Sequence, residues 1–331
     1  MQDFKVDGYP FQAEQNSFDG KLDYEGEKSV FKRAVSRIVI ETSSYCNRRC
    51  KFCPNESGLR IGSDFLKKTM STEMLSEICD ALSSIDYDKT ILLHLYNEPT
   101  ADPGLSDKVR LIREKLPATK ISFNSNGDYL TRQMLRELLD AGLSSLSVSL
   151  YGPNHGEYDT DYLSNSFNRI FEIVGHHGKI EPVSDTQLKA ETIFEHDGRR
   201  MPVSLFAVDF NRVGYDRAQS VGTELDVVRT SPCPAPFSEL NIAWDGVVVP
   251  CCNIHPDHAQ LASLSCGKIV NGDDIFKIFS SESMRAWRRS TAMYGTFSSP
   301  CNSCTRLNEP GLEKTQHARN HNRKMQSLIR S

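Results

Sequence analysis

The sequence predicts an α/β protein made of a partial (β/α)6 TIM-like barrel and a small C-terminal domain built on a β-hairpin and a helix. Between residues 37 and 215, short apolar runs alternate with segments of helical periodicity. Three cysteines directly follow the first apolar run, and a second set of cysteines lies nearer the C-terminus. Strand–helix alternation with right-handed crossovers gives a parallel sheet, and six such units leave a barrel incomplete.

The same patterns divide the chain into four predicted segments. They are an N-terminal extension (1–36), the partial barrel (37–215), the cysteine-rich domain (216–310) and a basic C-terminal tail (311–331). The extension is polar and short, so we expect irregular chain that packs its aromatic residues on the main domain. Those residues are Tyr9, Phe11, Phe18 and Tyr24.

Composition excludes several classes of protein. The chain has 331 residues and a formal net charge of −4, which gives no indication of nucleic-acid binding. No apolar run reaches the roughly 18 residues that a membrane span needs, and the first residues lack the features of a secretory signal. Ten cysteines in such a chain favour metal ligation in a reducing cytoplasm over disulfides.

The predicted barrel begins with a strand that leads into the first cysteines. The six predicted strands are Arg37–Thr42, Thr90–Tyr96, Lys120–Phe123, Leu146–Leu150, Leu188–Phe194 and Val203–Val208. A helix is predicted after Ser71, and its apolar positions include Cys79, which we therefore assign to the core. Another helix is predicted between Thr131, as its N-cap, and Gly142, as its stop signal.

Cys46, Cys50 and Cys53 form a CxxxCxxC loop directly after the first strand. A closed zinc site takes four ligands, whereas closely spaced cysteines commonly hold iron–sulfur clusters. Three thiolates on a four-iron cluster leave one iron open to a substrate or cofactor. A zinc knuckle that borrows a distant fourth ligand is the alternative at this point.

With an aromatic residue, Phe52, before its last cysteine, this loop resembles the CxxxCxΦC signature of the radical S-adenosylmethionine (SAM) enzymes. The resemblance implies that SAM binds the open iron of a 4Fe-4S cluster through its amino and carboxylate groups, with Phe52 beside it. One electron, from a flavodoxin- or ferredoxin-type donor, then cleaves SAM to methionine and a 5′-deoxyadenosyl radical. That radical takes hydrogen from a substrate C–H bond.

Further SAM contacts are implied where the strands end, because ligands bind at the carboxyl ends of parallel strands. Tyr96-Asn97-Glu98-Pro99 stands where the family has Gly-Gly-Glu-Pro, so Glu98 is expected to bind the methionine ammonium. Tyr96 and Asn97 replace both glycines, which allow close backbone approach, and the Asn97 amide is expected to contribute instead.

The other strand ends resemble the family less closely. Asn126 lies in a Ser-Asn-Gly turn, and Ser149 is a candidate for the ribose or carboxylate of SAM. Tyr151 stands in place of the usual aspartate, so no acidic contact is implied there. Arg212, in Asn-Arg-Val-Gly, is expected either to contact SAM or substrate or to be a surface arginine.

The second cysteine set combines a predicted hairpin, which turns at Asp245-Gly246, with a CxxC pair. Its spacing alone allows zinc or an iron–sulfur cluster. Beside the first loop, it resembles the auxiliary-cluster modules called SPASM and twitch, which implies a second 4Fe-4S cluster. The ligands implied are Cys233, Cys251, Cys301 and Cys304.

Two cysteines and the tail remain outside these sites. Cys252 is a packed thiol, a substitute ligand or a hydrogen-atom donor, and Cys266 has no assigned role. The basic tail is expected to be a solvated segment, with a phosphate-binding flap as the alternative. Its charged and imidazole residues are Lys314, His317, Arg319, His321, Arg323, Lys324 and Arg330.

The resemblance implies a choice of reactions on a small polar substrate such as a sugar, amino-sugar or aminocyclitol. If the substrate electron passes to the auxiliary cluster, the result is oxidation. If a thiol such as Cys252 returns hydrogen, the result is epimerisation. A peptide-modifying maturase is a further alternative, although the sequence shows no predicted peptide-binding domain. A non-catalytic metal-binding or electron-carrier protein is the alternative of another class.

Overall fold

A computed structural model describes residues 2–6, 9–20, 22–57, 68–153, 157–214, 216–221 and 227–330. The chain forms two compact units. We call Val39–Gly214 with Ala243–Asp245 the barrel unit. We call Met1–Ile38, Tyr215–Ile242 and Gly246–Ser331 the terminal unit, because it contains both ends of the chain.

Strands and helices alternate through much of the chain. The described strands are β1 Gln2–Val6, β2 Tyr9–Ala13, β3 Arg37–Ile40, β4 Thr90–Leu92, β5 Lys120–Ser125, β6 Ser145–Ser149, β7 Glu181–Ser184, β8 Gln187–His196, β9 Arg199–Val208, β10 Glu239–Ile242, β11 Val247–Val249 and β12 Gly267–Lys268. The described α-helices are α1 Tyr24–Ala34, α2 Thr72–Ser83, α3 Leu105–Lys115, α4 Arg132–Ala141, α5 Thr160–Val174, α6 Phe210–Val213, α7 Ala235–Ser238, α8 Asp274–Phe279, α9 Glu282–Thr291 and α10 Gln316–Arg330.

In the barrel unit the strand order runs β3, β4, β5, β6, β9, β8, β7. The pairs β4/β5, β5/β6 and β6/β9 are parallel, with helices between successive strands. The predicted α/β class with a mostly parallel sheet is therefore confirmed. The predicted helix starts are also present. Ser71 caps α2 and Thr131 caps α4, and each accepts a hydrogen bond from a backbone N–H in the first turn of its helix.

The prediction of a parallel strand at Leu188–Phe194 is wrong. This segment lies in β8, which pairs antiparallel with both β7 and β9. Only Asp197 and Gly198 separate β8 from β9, and both have positive φ angles, of 49° and 73°. Two such residues form a tight hairpin turn, which leaves no room for the helix that a parallel connection requires.

In the terminal unit, the prediction that the N-terminal extension is irregular chain is also wrong. Residues 2–6 pair antiparallel with residues 9–13 as β1 and β2, and Asp23 caps α1 through the backbone N–H of Gly26. The periodic signal of α1 is weak because only Val30 and Phe31 are buried in it. The same unit contains the antiparallel strands β10, β11 and β12 and the helices that follow them.

Two of the four aromatic residues predicted to pack, Phe18 and Tyr24, have described side chains, and both contact partners within the terminal unit. Phe18 is fully buried, and its ring lies 5.6 Å from that of Phe237 in a cluster with Ala292 and Met325. Tyr24 is 38% exposed and touches Phe276 by its edge. The side chains of Tyr9 and Phe11 lie outside the described residues.

The basic tail is helical and packed, so the prediction of a solvated segment is wrong for its apolar side. On α10, Ala318, His321 and Met325 are buried at helical spacing. The Nε2 atom of His321 lies 2.7 Å from the carbonyl oxygen of Ala292. The lysine and arginine residues of the tail are exposed. Among helices in the described ranges, none combines the length and apolar character needed to cross a membrane.

We expect Phe18→Ala to lower the free energy of unfolding by about 3–5 kcal/mol, because it leaves a cavity between the N-terminal segment and the C-terminal helices. Urea unfolding followed by circular dichroism measures this. Tyr24→Ala is the matched control in the same segment and should cost much less, since Tyr24 is partly exposed. An equal loss of unfolding free energy in both variants would contradict the burial of Phe18 against Phe237 and Met325.

Candidate functional site

The loop that follows β3 brings its three predicted cysteines together. Burial raises the pKa of Cys46, and Glu98, Cys53 and Cys50 are close enough to act in the same direction. Burial likewise raises the pKa of Cys50 to about 12, with a smaller contribution from Cys53. Cys50 is buried, Cys46 and Cys53 are half-buried, and the three thiols lie near one another and near the Glu98 carboxylate.

The three thiols of this loop are donors of the kind that hold iron–sulfur clusters. Among the described residues, no three cysteine, histidine, aspartate or glutamate side chains converge closely enough to hold one metal ion. A zinc ion needs its thiolates at about 2.3 Å from a single point. The thiolates of a four-iron cluster each bind a different iron, so they need not converge in this way.

An ion pair holds this loop in place, and the sequence interpretation missed it. The guanidinium of Arg48 donates from Nε and Nη2 to the two carboxylate oxygens of Asp128, at 2.7 and 2.6 Å. Asn47 also donates to Asp128, and Asn126 donates to Asn47, both at 2.7 Å. Although burial opposes it, the bonds from Arg48 and Asn47 hold the pKa of Asp128 below its usual value.

Asp128 follows directly on the predicted Ser-Asn-Gly turn after β5. Gly127 in that turn has a φ of 77°, and a Cβ there would lie 2.9 Å from Val148. The turn therefore requires glycine, which places Asn126 and Asp128 against the cysteine loop. An acidic residue one position after an Asn-Gly turn was the signal available in the sequence.

Glu98 is 2% exposed and accepts four hydrogen bonds. Its Oε1 accepts from the backbone and hydroxyl of Thr100, at 3.0 and 2.5 Å, and from the hydroxyl of Ser125, at 2.7 Å. Its Oε2 accepts from the backbone N–H of Asn126 at 2.7 Å. Burial raises the pKa of Glu98, against the effect of these bonds. Oε2, with one of these donors, is the oxygen better placed to accept another.

The Tyr96-Asn97 pair, where the sequence departs from the family, is held by neighbouring side chains. The backbone N–H of Tyr96 donates to buried Glu41 at 2.9 Å, and its carbonyl accepts from buried Asn55 at 2.7 Å. The Asn97 amide accepts from the backbone of Leu95 and donates to Ser43. The amide of Asn97 therefore supports the turn itself.

The remaining predicted SAM contacts have different positions. Ser149 is 5% exposed at the carboxyl end of β6. The ring of Phe52 packs against those of Tyr151 and Phe210, with centroids 5.3 and 4.7 Å away. Arg212 is instead an exposed residue that pairs with Asp185 at 2.7 Å. The described contacts thus favour the surface-arginine alternative for Arg212.

The sheet of the barrel unit has one face buried under helices and one that is open. A row of polar side chains crosses the open face from β5 to β8, and the ladder registers pair its members directly: Asn124 with Ser147, Ser147 with Ser204, and Ser204 with Glu191. Each of them is exposed or half-buried, whereas Phe123, Val148 and Leu205 on the other face are fully buried.

This polar row is internally connected. The hydroxyl of Ser204 donates to Glu191 at 2.7 Å, and Lys189 forms an ion pair with the other oxygen of Glu191 at 3.0 Å. His94, just beyond β4, accepts a hydrogen bond on Nδ1 from the backbone N–H of Asn124. A neutral His94 ring therefore has its proton on Nε2. Alternation of polar and apolar residues along β5, β6 and β9 was the sequence signal for this face.

A cavity of about 340 Å³ lies elsewhere in the barrel unit. Tyr45, which precedes Cys46, lines it together with Thr100, Asp102, Tyr129 and Glu137. None of the predicted SAM contacts lines this cavity, so it is distinct from the predicted SAM site.

In the terminal unit, the four predicted ligands of the auxiliary site are brought together. Burial raises the pKa of Cys251 well above its usual value, and Cys252, Cys233, Cys301 and Cys304 all add to the effect. Cys252 follows Cys251 in the turn after β11 and lies in the same group of thiols. The side chain of Asn253 donates to the sulfur of Cys304 at 3.4 Å.

A buried cation beside these thiols shows that they fit a negatively charged group. Arg229 is 1% exposed, and its Nε lacks a hydrogen-bond partner among the described residues. It also acts to lower the pKa of Cys301 and Cys304, against the larger effect of burial. A cluster held by thiolates would supply the negative charge that a buried guanidinium needs.

We expect Asp128→Asn to speed the loss of iron from the first cysteine loop by roughly 10- to 100-fold, because residues that orient metal ligands typically have effects of that size. Anaerobic release of iron to a chelator measures it. Asp140→Asn is the control, since Asp140 forms an exposed ion pair with Arg199 in the same unit. Release at the wild-type rate from Asp128→Asn would show that the Arg48 ion pair does not hold the loop.

Comparisons with known proteins agree with this arrangement. The family model of the radical SAM superfamily matches residues 40–176, and that of the SPASM iron–sulfur cluster-binding domain matches residues 233–305. The two matches contain the first cysteine loop and the four auxiliary cysteines respectively.

Among curated proteins, the chain is 32% identical over 133 residues to the S-adenosyl-L-methionine-dependent 2-deoxy-scyllo-inosamine dehydrogenase of Niallia circulans, covering 38% of this chain and 51% of that protein. It is 26% identical over 165 residues to the GTP 3′,8-cyclase of Peptoclostridium acidaminophilum, covering 49% and 48%. The chain thus spans about half the length of each of these relatives.

Among solved structures, the chain is similar in fold to BtrN in complex with AdoMet and 2-DOIA, with a TM-score of 0.52 and 19% identity. The match covers 78% of this chain and 87% of that one. The loop after β3, the α/β sheet and both family matches lead to one conclusion. The chain carries a radical SAM domain, matched at residues 40–176, and a SPASM iron–sulfur cluster-binding domain, matched at residues 233–305.

Proposed function

We propose that this chain is a radical SAM enzyme that dehydrogenates a hydroxyl-bearing carbon of a small aminocyclitol- or amino-sugar-like substrate. The observation that carries the substrate class is the polar row on the open face of the barrel unit. The similarity to a 2-deoxy-scyllo-inosamine dehydrogenase supports both the substrate class and oxidation as the outcome.

The cysteine sets would hold two 4Fe-4S clusters. Cys46, Cys50 and Cys53 would bind the cluster that carries SAM, and Cys233, Cys251, Cys301 and Cys304 the auxiliary cluster. When bound, the clusters and SAM supply the one-electron chemistry that breaks an unactivated C–H bond. Two four-iron clusters predict about eight irons per chain.

The protein's own part is to bind, orient and exclude water. Arg48 and Asp128 fix the cysteine loop against the turn after β5. Glu98 and Ser149 are proposed to bind the methionine and ribose or carboxylate groups of SAM at the same strand ends. The packed rings of Phe52, Tyr151 and Phe210 form an apolar wall beside the loop, which limits the access of water.

The polar row suits a ring that carries hydroxyl and amino groups. Asn124, Ser147 and Ser204 offer donors and acceptors at the spacing of neighbouring strands, about 4.8 Å. Glu191 offers a carboxylate to a protonated amine, and His94 lies at the other end of the row, beside Asn124. A small substrate could contact several of these groups together, because they share one face of the sheet.

Product analysis decides between oxidation and epimerisation. A ketone product supports the proposed dehydrogenation. Deuterium incorporated from deuterated water without a change of oxidation state, and lost in Cys252→Ala, would instead support epimerisation with Cys252 as hydrogen donor.

We expect Cys50→Ala to abolish the formation of 5′-deoxyadenosine from SAM, because it removes one of only three thiolates that would hold the SAM cluster. The measurement is anaerobic incubation of reconstituted protein with dithionite and SAM, followed by chromatography. Cys79→Ala, a buried cysteine of α2, should keep the activity. If the wild type forms no 5′-deoxyadenosine with any candidate substrate, the protein is a non-catalytic metal-binding or electron-carrier protein.

We expect Glu191→Gln to raise KM for 2-deoxy-scyllo-inosamine roughly tenfold, since it removes a charged hydrogen bond to the amine. The formation of 5′-deoxyadenosine without substrate should not change, because Glu191 is not proposed to touch SAM. Glu195→Gln on the same strand is the control, as Glu195 pairs with Arg200. A KM equal to that of the wild type would remove Glu191 from the substrate site.

A further inference from the structure

The auxiliary cysteines have the buried guanidinium of Arg229 beside them, which forms no ion pair with a carboxylate in the part of the chain that the structure describes. Arg229 donates from Nη1 to the carbonyls of Arg306 and Cys304, at 2.6 and 3.3 Å, and from Nη2 to that of Pro232 at 2.7 Å. Pro232 immediately precedes Cys233. Arg229 therefore binds the carbonyl of one proposed cluster ligand, Cys304, and the peptide group that leads into another, Cys233.

Carbonyl oxygens alone do not neutralise a buried positive charge. Among the described residues no carboxylate forms an ion pair with Arg229, and its Nε is buried without a hydrogen-bond partner. Removing a guanidinium from water is costly unless a negative group compensates for it. The Nη1 of Arg229 donates to the carbonyl of Cys304 and its Nη2 to that of Pro232, next to Cys233, so proposed cluster ligands lie beside the guanidinium. Buried Asp216 lies near the same thiols, but among the described contacts it forms no ion pair with Arg229.

Arg306 provides the contrast within the same site. Its guanidinium also lies close to Cys252 and Cys233, but it forms two hydrogen bonds to the carboxylate of Glu239, at 2.5 and 3.2 Å. Glu239 is 2% exposed and also pairs with Arg37. Arg306 thus has a carboxylate partner, which it shares with Arg37, whereas Arg229 has none among the described residues.

We propose that Arg229 is the counter-charge of the auxiliary cluster and raises its reduction potential. The proposal rests on the proposed function, because it requires a cluster on Cys233, Cys251, Cys301 and Cys304. Reduction adds negative charge to a cluster, and a buried cation nearby stabilises that reduced form. A cluster of raised potential is the better electron acceptor, which suits oxidation and not the return of hydrogen by a thiol.

A hydrogen bond to sulfur acts in the same direction. Asn253 is 3% exposed and donates to the sulfur of Cys304. Arg217 donates to the side-chain oxygen of Asn253 at 3.1 Å, which orients the amide with its NH2 group toward the sulfur. Hydrogen bonds to cluster sulfurs favour the reduced state. Arg229 and Asn253 therefore both stabilise the reduced cluster, each by a separate contact.

The test uses the full chain with Cys46, Cys50 and Cys53 replaced by alanine, so that the auxiliary cluster alone gives the signal. A potentiometric titration followed by electron paramagnetic resonance measures its midpoint potential. We expect Arg229→Met to lower the potential by at least a tenfold change in the reduction equilibrium, about 59 mV for one electron. Arg229→Lys should retain most of the wild-type potential.

Arg288→Met is the matched control for the loss of a buried arginine. Arg288 is also 1% exposed in the terminal unit and donates to the carbonyls of Pro236, Phe279 and Ser17. It stacks on Phe279, and Cys266, which is not a proposed ligand, is the cysteine it acts on. We expect this variant to lose stability without a change of potential.

The outcomes separate this inference from the function on which it rests. An unchanged potential in Arg229→Met, or an equal shift in Arg288→Met, would overturn the inference while leaving the cluster in place. If Arg229→Met fails to take up the cluster, Arg229→Gln replaces it under the same criterion. If the Cys46, Cys50 and Cys53 background, with Arg229 intact, binds no iron and sulfide, the proposed auxiliary cluster fails and the inference with it.

Discussion

The end of the barrel unit that carries the cysteine loop depends on one buried carboxylate. Glu98 accepts hydrogen bonds from the turn that follows β4 and from the end of β5, and its own backbone N–H donates to the carbonyl of Tyr45 next to Cys46. Three separate segments therefore meet at a single residue that is 2% exposed. Such a carboxylate is stable in the interior because it accepts four hydrogen bonds, and the loss of any of these donors would leave its charge less well compensated. The position of the cysteine loop thus depends on the hydrogen bonds that Glu98 accepts and on the one that its backbone N–H donates to Tyr45.

The sequence was sufficient to predict features that depend on local chemistry. The CxxxCxxC loop, the CxxC pair, the N-caps at Ser71 and Thr131 and the burial of Cys79 follow from spacing and periodicity over a few residues. Features that depend on distant partners were missed. Arg48 and Asp128 are 80 residues apart, and nothing in the spacing of either indicates the other. Phe18 packs on Phe237 and Met325 because the two ends of the chain form one unit, which no local pattern shows.

The wrong prediction of a parallel strand at Leu188–Phe194, where the chain forms the hairpin of β8 and β9, has a different cause. Asp197-Gly198 is a strong turn signal, and it was outweighed by the expectation that strands and helices continue to alternate. The alternation of strands and helices was expected to continue at Asp197-Gly198, where the residues themselves indicate a hairpin turn. The structural consequence is favourable to the proposed function, because an antiparallel hairpin extends the open face of the sheet and places Glu191 beside Ser204. A helix at this point would have separated the two strands in sequence.

Each cysteine set has an arginine next to it, and the two arginines differ in one respect. Arg48 gives its charge to Asp128 through a two-point ion pair, so the first loop receives little net positive charge. Arg229 donates to carbonyls and lies over the ring of Phe297, and among the described residues it pairs with no carboxylate, so its charge remains available to the auxiliary thiols. Because positive charge stabilises a reduced cluster, this difference predicts a lower potential for the first site than for the auxiliary site. That order matches what each proposed site must do, since a reductive cleavage of SAM needs a strong reductant and an oxidation of substrate needs an acceptor.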